Sequence, residues 1–248
     1  MRARGNGWLL RVREAFAAHG DPARAADMQA YMKSSMPYHG VPKPTVTREL
    51  KPIFDDYPFE SPERWDADVR AIFDGARFRE EWYAALALLS HPRARAFATK
   101  ERWRELLALH EHLVVGASWW DIVDEVAAHH VGALLAAFPG EMKPAMREWS
   151  RSDQMWKART SILSQLRFHS PDFRRFKPSM DEALLFACIE PSIASKEFFL
   201  RKAIGWALRE YSKRNPDAVR RYVRANDARL SGLSKREALR LISAEASA

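Results

Sequence analysis

Apolar residues recur along most of this chain at intervals of three and four, the spacing of a helix with one buried stripe. Trp8 to His19 is amphipathic and stops at Gly20, and Asp21-Pro22 is a cap followed by proline at the first helical position, predicting a helix to about Ser35. Met36 to Pro44, with Pro37, Gly40 and Pro42, reads as a loop. Further helices are predicted at about 44–55, 62–75, 78–90 and 100–115, then from Trp119, over 127–138, 140–150, 153–168, 179–189, 196–214, 216–229 and 234–243. No segment alternates as a strand would. Connections this short between helices this short predict antiparallel helical hairpins.

A weak repeat overlies the helices. Trp82, Trp119, Trp156 and Phe199 each open an apolar helical run, at spacings of 37, 37 and 43 residues. A period near 40 is that of HEAT-type arrays, whose stacked helix pairs curve around a concave face. The expected fold is therefore all-α, an α-solenoid of HEAT-like helical repeats, with residues 1–248 as a single domain.

Within it, Ser118-Trp119-Trp120-Asp121-Ile122-Val123-Asp124 carries the most chemistry. Ser118 and Asp121 have the spacing of a capping box. Trp119, Ile122, Val123 and Val126 fit a core-facing stripe, while Trp120 and Asp124, four apart, share a neighbouring face. A large aromatic beside a carboxylate is poor core material, because an unpaired buried charge is costly. The pair is either a surface Trp beside a solvated Asp or the lining of a groove. A second dense stretch follows at 195–211, where Lys202, Trp206 and Arg209 fall at i, i+4 and i+7. Gly205, inside that helix, costs about 1 kcal/mol relative to alanine, which points to close packing or close approach of a ligand.

Charge sharpens the choice. The chain is formally +8, and residues 195–248 hold 13 Lys and Arg against 6 Asp and Glu, whereas residues 1–139 hold 18 against 19. A basic region on a balanced protein, interleaved with aromatics, points to a nucleic-acid backbone on the concave face. The single cysteine, Cys188, allows neither an internal disulfide nor a thiolate metal site and suits a reducing cytoplasm. The basic N-terminus precedes no apolar run of signal-peptide length, and no stretch approaches 18 uncharged apolar residues, so no membrane association is expected. His110-Glu111-His112 puts its histidines two apart, on different sides of a helix, and for His129-His130 and His169 the sequence identifies no metal-binding companion. No glycine-rich phosphate loop or Ser-His-Asp signature is present, and no cofactor is indicated.

Three motifs together, Ser-Trp-Trp-Asp-x-Val-Asp (118–124), Trp-x-x-Arg-x-x-Ile-Leu-x-Gln-Leu (156–166) and Lys-Glu-Phe-Phe-x-x-Lys-Ala-Ile-Gly-Trp-x-Leu-Arg-Glu-Tyr (196–211), resemble the AlkD family of DNA alkylation-repair glycosylases. Tyr31-Met32-Lys33, followed by an aromatic-glycine turn and proline, is similar to the family's N-terminal part, and the likeness runs from about residue 8 to 243. It implies a right-handed HEAT-like solenoid that wraps double-stranded DNA and hydrolyses the N-glycosidic bond of positively charged N3- and N7-alkylated purines without base flipping; a solenoid with polar terminal helices is expected to be a monomer. By motif position it implies Trp120, Asp124 and Trp206 as the catalytic cluster. Arg159 and Arg209 take phosphate-contacting positions, with Lys202 on the same basic face, and Tyr31, Phe198 and Phe199 are surrounding aromatics. One departure is Pro42, which follows Gly40-Val41 where the family carries a polar side chain; it removes a side-chain donor and a backbone N–H, which alters the N-terminal DNA contact expected of this loop. The competing reading is a non-catalytic HEAT-like scaffold that grips DNA. Only the enzyme requires Trp120, Asp124 and Trp206 to converge.

Overall fold

The computed structural model describes residues 5–168 and 180–242, all of them helical, turn or irregular; His169 lies outside them. Two compact units divide the chain, Met1–Arg102 and Trp103–Ala248. In the second, successive helices pack mostly on their neighbours in sequence, the construction of an α-solenoid.

The first unit contains α1 (Gly5–Ala17), α2 (Pro22–Met32), α3 (Lys43–Asp55), α4 (Pro62–Asp74) and α5 (Arg79–Leu89), then a 3-10 segment at Pro92–Phe97. In it α1 packs on α3, α4 and α5, and α5 also packs on α3 and α4. The predicted starts hold for chemical reasons. Asp21 caps α2 by accepting from the Ala23 and Arg24 N–H groups, and Ser61 caps α4 by accepting from Arg64 N–H. The core is the stripe the periodicity marks: Val12 and Phe16 on α1, Leu50 and Phe54 on α3, Val69 and Ile72 on α4, Leu88 on α5. α5 also buries two carboxylates at its first turn. Glu80 Oε1 accepts from the N–H groups of Gly40 (2.9 Å) and Val41 (3.1 Å), and Oε2 from that of His39 (3.0 Å). Glu81 receives Arg13, His39 and the Arg77 N–H. Burial alone would raise the Glu81 carboxyl, but those donors hold it at about 2. The loop before α3 is thus fixed from inside. Gly40 needs its freedom here: its φ is +81°, and an added Cβ would lie 2.1 Å from the Asp21 carbonyl oxygen.

The second unit contains α6 (Trp103–Ala117), α7 (Trp120–Glu125), a π-helical segment (Val126–Val131), α8 (Gly132–Ala137), α9 (Pro139–Trp149), α10 (Met155–Leu163), α11 (Glu182–Ile189), α12 (Phe198–Ser212), α13 (Pro216–Ala225) and α14 (Gly232–Leu239). α10 is the hub, packed against α6, α7, α9, α11 and α12, and its residues Trp156 and Ala158 to Leu163 are buried. Cys188 is buried on α11, where burial pushes its thiol up to about 12 and leaves it inert.

One local expectation fails. Ser118 does not cap the Trp helix: it sits in the left-handed region at φ +43°, and its hydroxyl donates to the Val115 carbonyl at 2.6 Å. It closes α6 instead of opening α7, whose N-cap is Trp119 with no side-chain cap bond, so no capping box forms. The break between the helices predicted at 127–138 and 140–150 falls at Phe138, and α9 begins on Pro139, where the missing N–H costs nothing.

Candidate nucleic-acid interface and catalytic cluster

α7 is short, and its Ile122 and Val123 are fully buried, which turns Asp124 toward α10. Arg159, on α10, meets it with two parallel bonds: Nε to Oδ1 at 2.7 Å and Nη2 to Oδ2 at 2.8 Å. This fork-to-carboxylate pairing fixes both planes. The remaining terminal nitrogen, Nη1, donates to the Phe199 carbonyl at the start of α12. Three helices distant in sequence are thereby tied at one guanidinium. Arg159 is 5% exposed and Asp124 16% along their side chains, so the pair is covered but open to one side. Burial pushes the Asp124 carboxyl above its ordinary value, and the Arg159 bonds oppose that without reversing it.

A cluster of aromatic rings adjoins the Arg159 end of the ion pair. Trp119 and Phe199 meet edge to face at 5.5 Å, Trp156 and Phe199 lie 4.9 Å apart, and the Arg159 guanidinium stands 5.8 Å over the Phe199 ring. Three of the four aromatics at the repeat spacing therefore form one cluster; the fourth, Trp82, stacks on Phe73 in the first unit. Trp120 stands one turn before Asp124 and is partly exposed. Trp206 is also partly exposed, seven residues after Phe199 and so on the same face of α12, about 10 Å further along at the helical rise. The π segment begins two residues after Asp124; such segments widen the helix and recur at functional sites.

The other residues singled out in the sequence fall in separate places. Phe198 is 52% exposed at the first turn of α12, edge to face with Phe199. Tyr31, in the first unit, is 78% exposed at the end of α2. Lys202 and Arg209 share a partner that the motifs did not announce, Glu237 of α14. Nor did sequence spacing reveal the direct Arg159–Asp124 pairing or the Glu80 anchor. Its nearest signal was Gly205, whose place inside a helix marked a close approach; the approaching group is α14. Pro42, where the chain departs from the resemblance, is extended at φ −65° and accepts the Val46 N–H through its carbonyl, starting α3. Proline suits that position, and Glu80 already holds the N–H groups of the three residues before it.

The family whose description is DNA alkylation repair enzyme matches residues 12–242. This chain belongs to that family. A solved structure, described as a predicted DNA alkylation repair enzyme from Enterococcus faecalis, is similar to it with a TM-score of 0.75 and 27% identity, over 89% of this chain and 95% of that one. No curated protein matches the chain. Membership makes the basic, aromatic-lined second unit of this DNA alkylation repair protein the place to look for contact with DNA. Among the described residues no helix is long and apolar enough to cross a membrane, and no group of three or more His, Cys, Asp or Glu is placed to hold a metal ion.

Proposed function

We propose that this protein is a DNA glycosylase that releases positively charged N3- and N7-alkylated purines from duplex DNA, binding it as a monomer on a concave HEAT-like face in the cytoplasm. The observation that carries this reading is the oriented carboxylate: Asp124, held by two nitrogens of the Arg159 guanidinium, with Trp120 one turn before it. Alkylation leaves the purine cationic, so it departs without a strong general acid. Water adds at C1′, the electron pair of the C1′–N bond goes to the base, which leaves neutral, and the proton lost by the water passes to solvent. The demanding species is the oxocarbenium-like sugar. A fixed carboxylate stabilises that charge without reorganising, and it can orient the water. Trp120 and Trp206 would press against the polarised sugar C–H groups, an interaction related to cation–π attraction and worth about 0.5–2 kcal/mol.

Chemistry of this kind acts on the sugar and needs no pocket for an extruded base, in contrast to enzymes that flip their target. Arg159 uses Nε and both terminal nitrogens within the protein, so among the cations of this unit its task is to aim Asp124.

The test is base release from duplexes carrying N7-methylguanine or N3-methyladenine. The wild type releases free base and Asp124→Asn loses at least about two orders of magnitude in rate, as expected for removing a preorganised electrostatic group. Salt-dependent duplex binding with no base release by the wild type would establish the non-catalytic scaffold instead.

A further inference from the structure

α12 and α14 meet at Gly205. A Cβ added there would lie 2.6 Å from the Glu237 Cβ and 3.1 Å from the Ser234 carbonyl oxygen, so the contact requires glycine. Two polar features register it. The Ser234 hydroxyl donates to the Arg201 carbonyl at 2.9 Å, beside the cap that Ser231 makes at the start of α14. Three residues later Glu237 lies between two cations of α12: Lys202 Nζ is 3.2 Å from Oε1, and Arg209 Nη1 bonds to Oε2. Lys202 and Arg209 flank Gly205 at i−3 and i+4, so both project on the side that α14 covers. Their side chains remain 40% and 20% exposed, and that of Glu237 is 19% exposed.

A carboxylate and a phosphodiester present the same feature to Lys and Arg, two oxygens sharing negative charge, and they compete for the same donors. With Glu237 in place the pair carries one net positive charge instead of two. We propose that Glu237 sets the strength of the protein's hold on the DNA backbone, by standing as an internal phosphate substitute on the Lys202–Arg209 pair. This rests on the reading that these two cations face DNA. The protein would then grip undamaged duplex less firmly than its basic C-terminal third allows, which favours movement along DNA over residence on it.

The experiment is fluorescence anisotropy of a short undamaged duplex with full-length wild type, Glu237→Gln, Glu237→Asp and Asp227→Asn, titrated between about 50 and 200 mM salt. Glu237→Gln keeps the side-chain shape and removes the charge. It should bind about three- to tenfold more tightly at the low-salt end, with a log–log salt slope steeper by about 0.9, the equivalent of one more phosphate contact. Glu237→Asp leaves net charge unchanged but is one methylene too short to bridge both cations, so it should tighten binding by a smaller factor. That variant also decides the matter if Glu237→Gln fails to fold. Asp227→Asn removes an exposed charge just before α14 and should leave affinity within twofold. Wild-type affinity or weaker in the folded Glu237 variants, or tightening by Asp227→Asn equal to that of Glu237→Gln, would overturn the inference. Base release by the same wild-type preparation separates the two readings. Release without any effect of Glu237 removes only the inference, and tightening in Glu237→Gln without release removes only the glycosylase. If no variant binds duplex, both fall.

Discussion

Replacing Arg159 by methionine tests whether the second unit is held together at the guanidinium. Methionine keeps the length of the stem and supplies no donor. Three bonds disappear: the two to Asp124 and the one to the Phe199 carbonyl. An exposed pair of this type contributes about 0–1 kcal/mol. This one has its cation 5% exposed and its anion 16% exposed, which places it with buried pairs, where loss of one partner costs about 3–5 kcal/mol because the other charge stays covered and unpaired. Asp124→Asn should cost less, since asparagine still offers Arg159 an acceptor and the Phe199 carbonyl remains. The double variant should fall short of the sum of the singles by about 1–3 kcal/mol, the coupling of directly bonded groups. Urea unfolding at pH 7, followed by far-UV circular dichroism, gives all four corners of the cycle. Sign adds a further check. Burial raises the Asp124 carboxyl, and without Arg159 nothing opposes that rise. The unpaired carboxylate of Arg159→Met therefore takes up a proton more readily in the folded state, and its stability deficit should be smaller at pH 5 than at pH 7. A cost below about 1 kcal/mol for Arg159→Met, or singles that add within about 0.5 kcal/mol, would refute the argument.

Two further outcomes follow from buried groups elsewhere. Gly40→Ala meets both a positive φ and a Cβ 2.1 Å from the Asp21 carbonyl, and should cost about 3 kcal/mol or more in thermal or urea unfolding, whereas Gly140→Ala, with nothing within 4 Å of the new methyl on α9, should be neutral or stabilising by up to about 1 kcal/mol. His130, largely covered in the π segment with its ring 5.7 Å from that of His110, has its pKa pushed down to about 3 by burial, with a smaller push from His129. The unfolded chain takes up that proton near pH 6.5 and the folded chain does not, so the stability is complete above pH 6.5 and falls as pH drops toward 3, by up to about 1.4 kcal/mol per unit. Chemical denaturation between pH 7 and 5, above the ordinary range of carboxylates, should show this slope, and His130→Phe should flatten it.

The sequence by itself determined where the helices lie, because their signals are local. Three- and four-residue apolar spacing marks a buried face wherever it occurs, and Asp21, Ser61, Asn215 and Ser231 cap helices with donors two or three residues away. It also singled out the residues proposed to carry chemistry, since Trp120-x-x-x-Asp124 and Lys202-x-x-x-Trp206-x-x-Arg209 share faces by helical spacing alone. Ser118 shows the limit even of a local signal. Its hydroxyl had two candidate helices, and the left-handed backbone that ends α6 gave it to the earlier one.

What tertiary structure decided is which charges meet. Asp124 and Arg159 are 35 residues apart, as are Lys202 and Glu237, and Glu80 reaches back about 40 residues to hold the Gly40 turn. Nothing in a linear pattern says which carboxylate lies opposite which cation, because the choice depends on how α7, α10, α12 and α14 stack. Gly205 marked that something approaches α12 closely. Only the packing of α14 showed that the approaching group is a carboxylate, set over two cations that the sequence alone presents as free to take a phosphate.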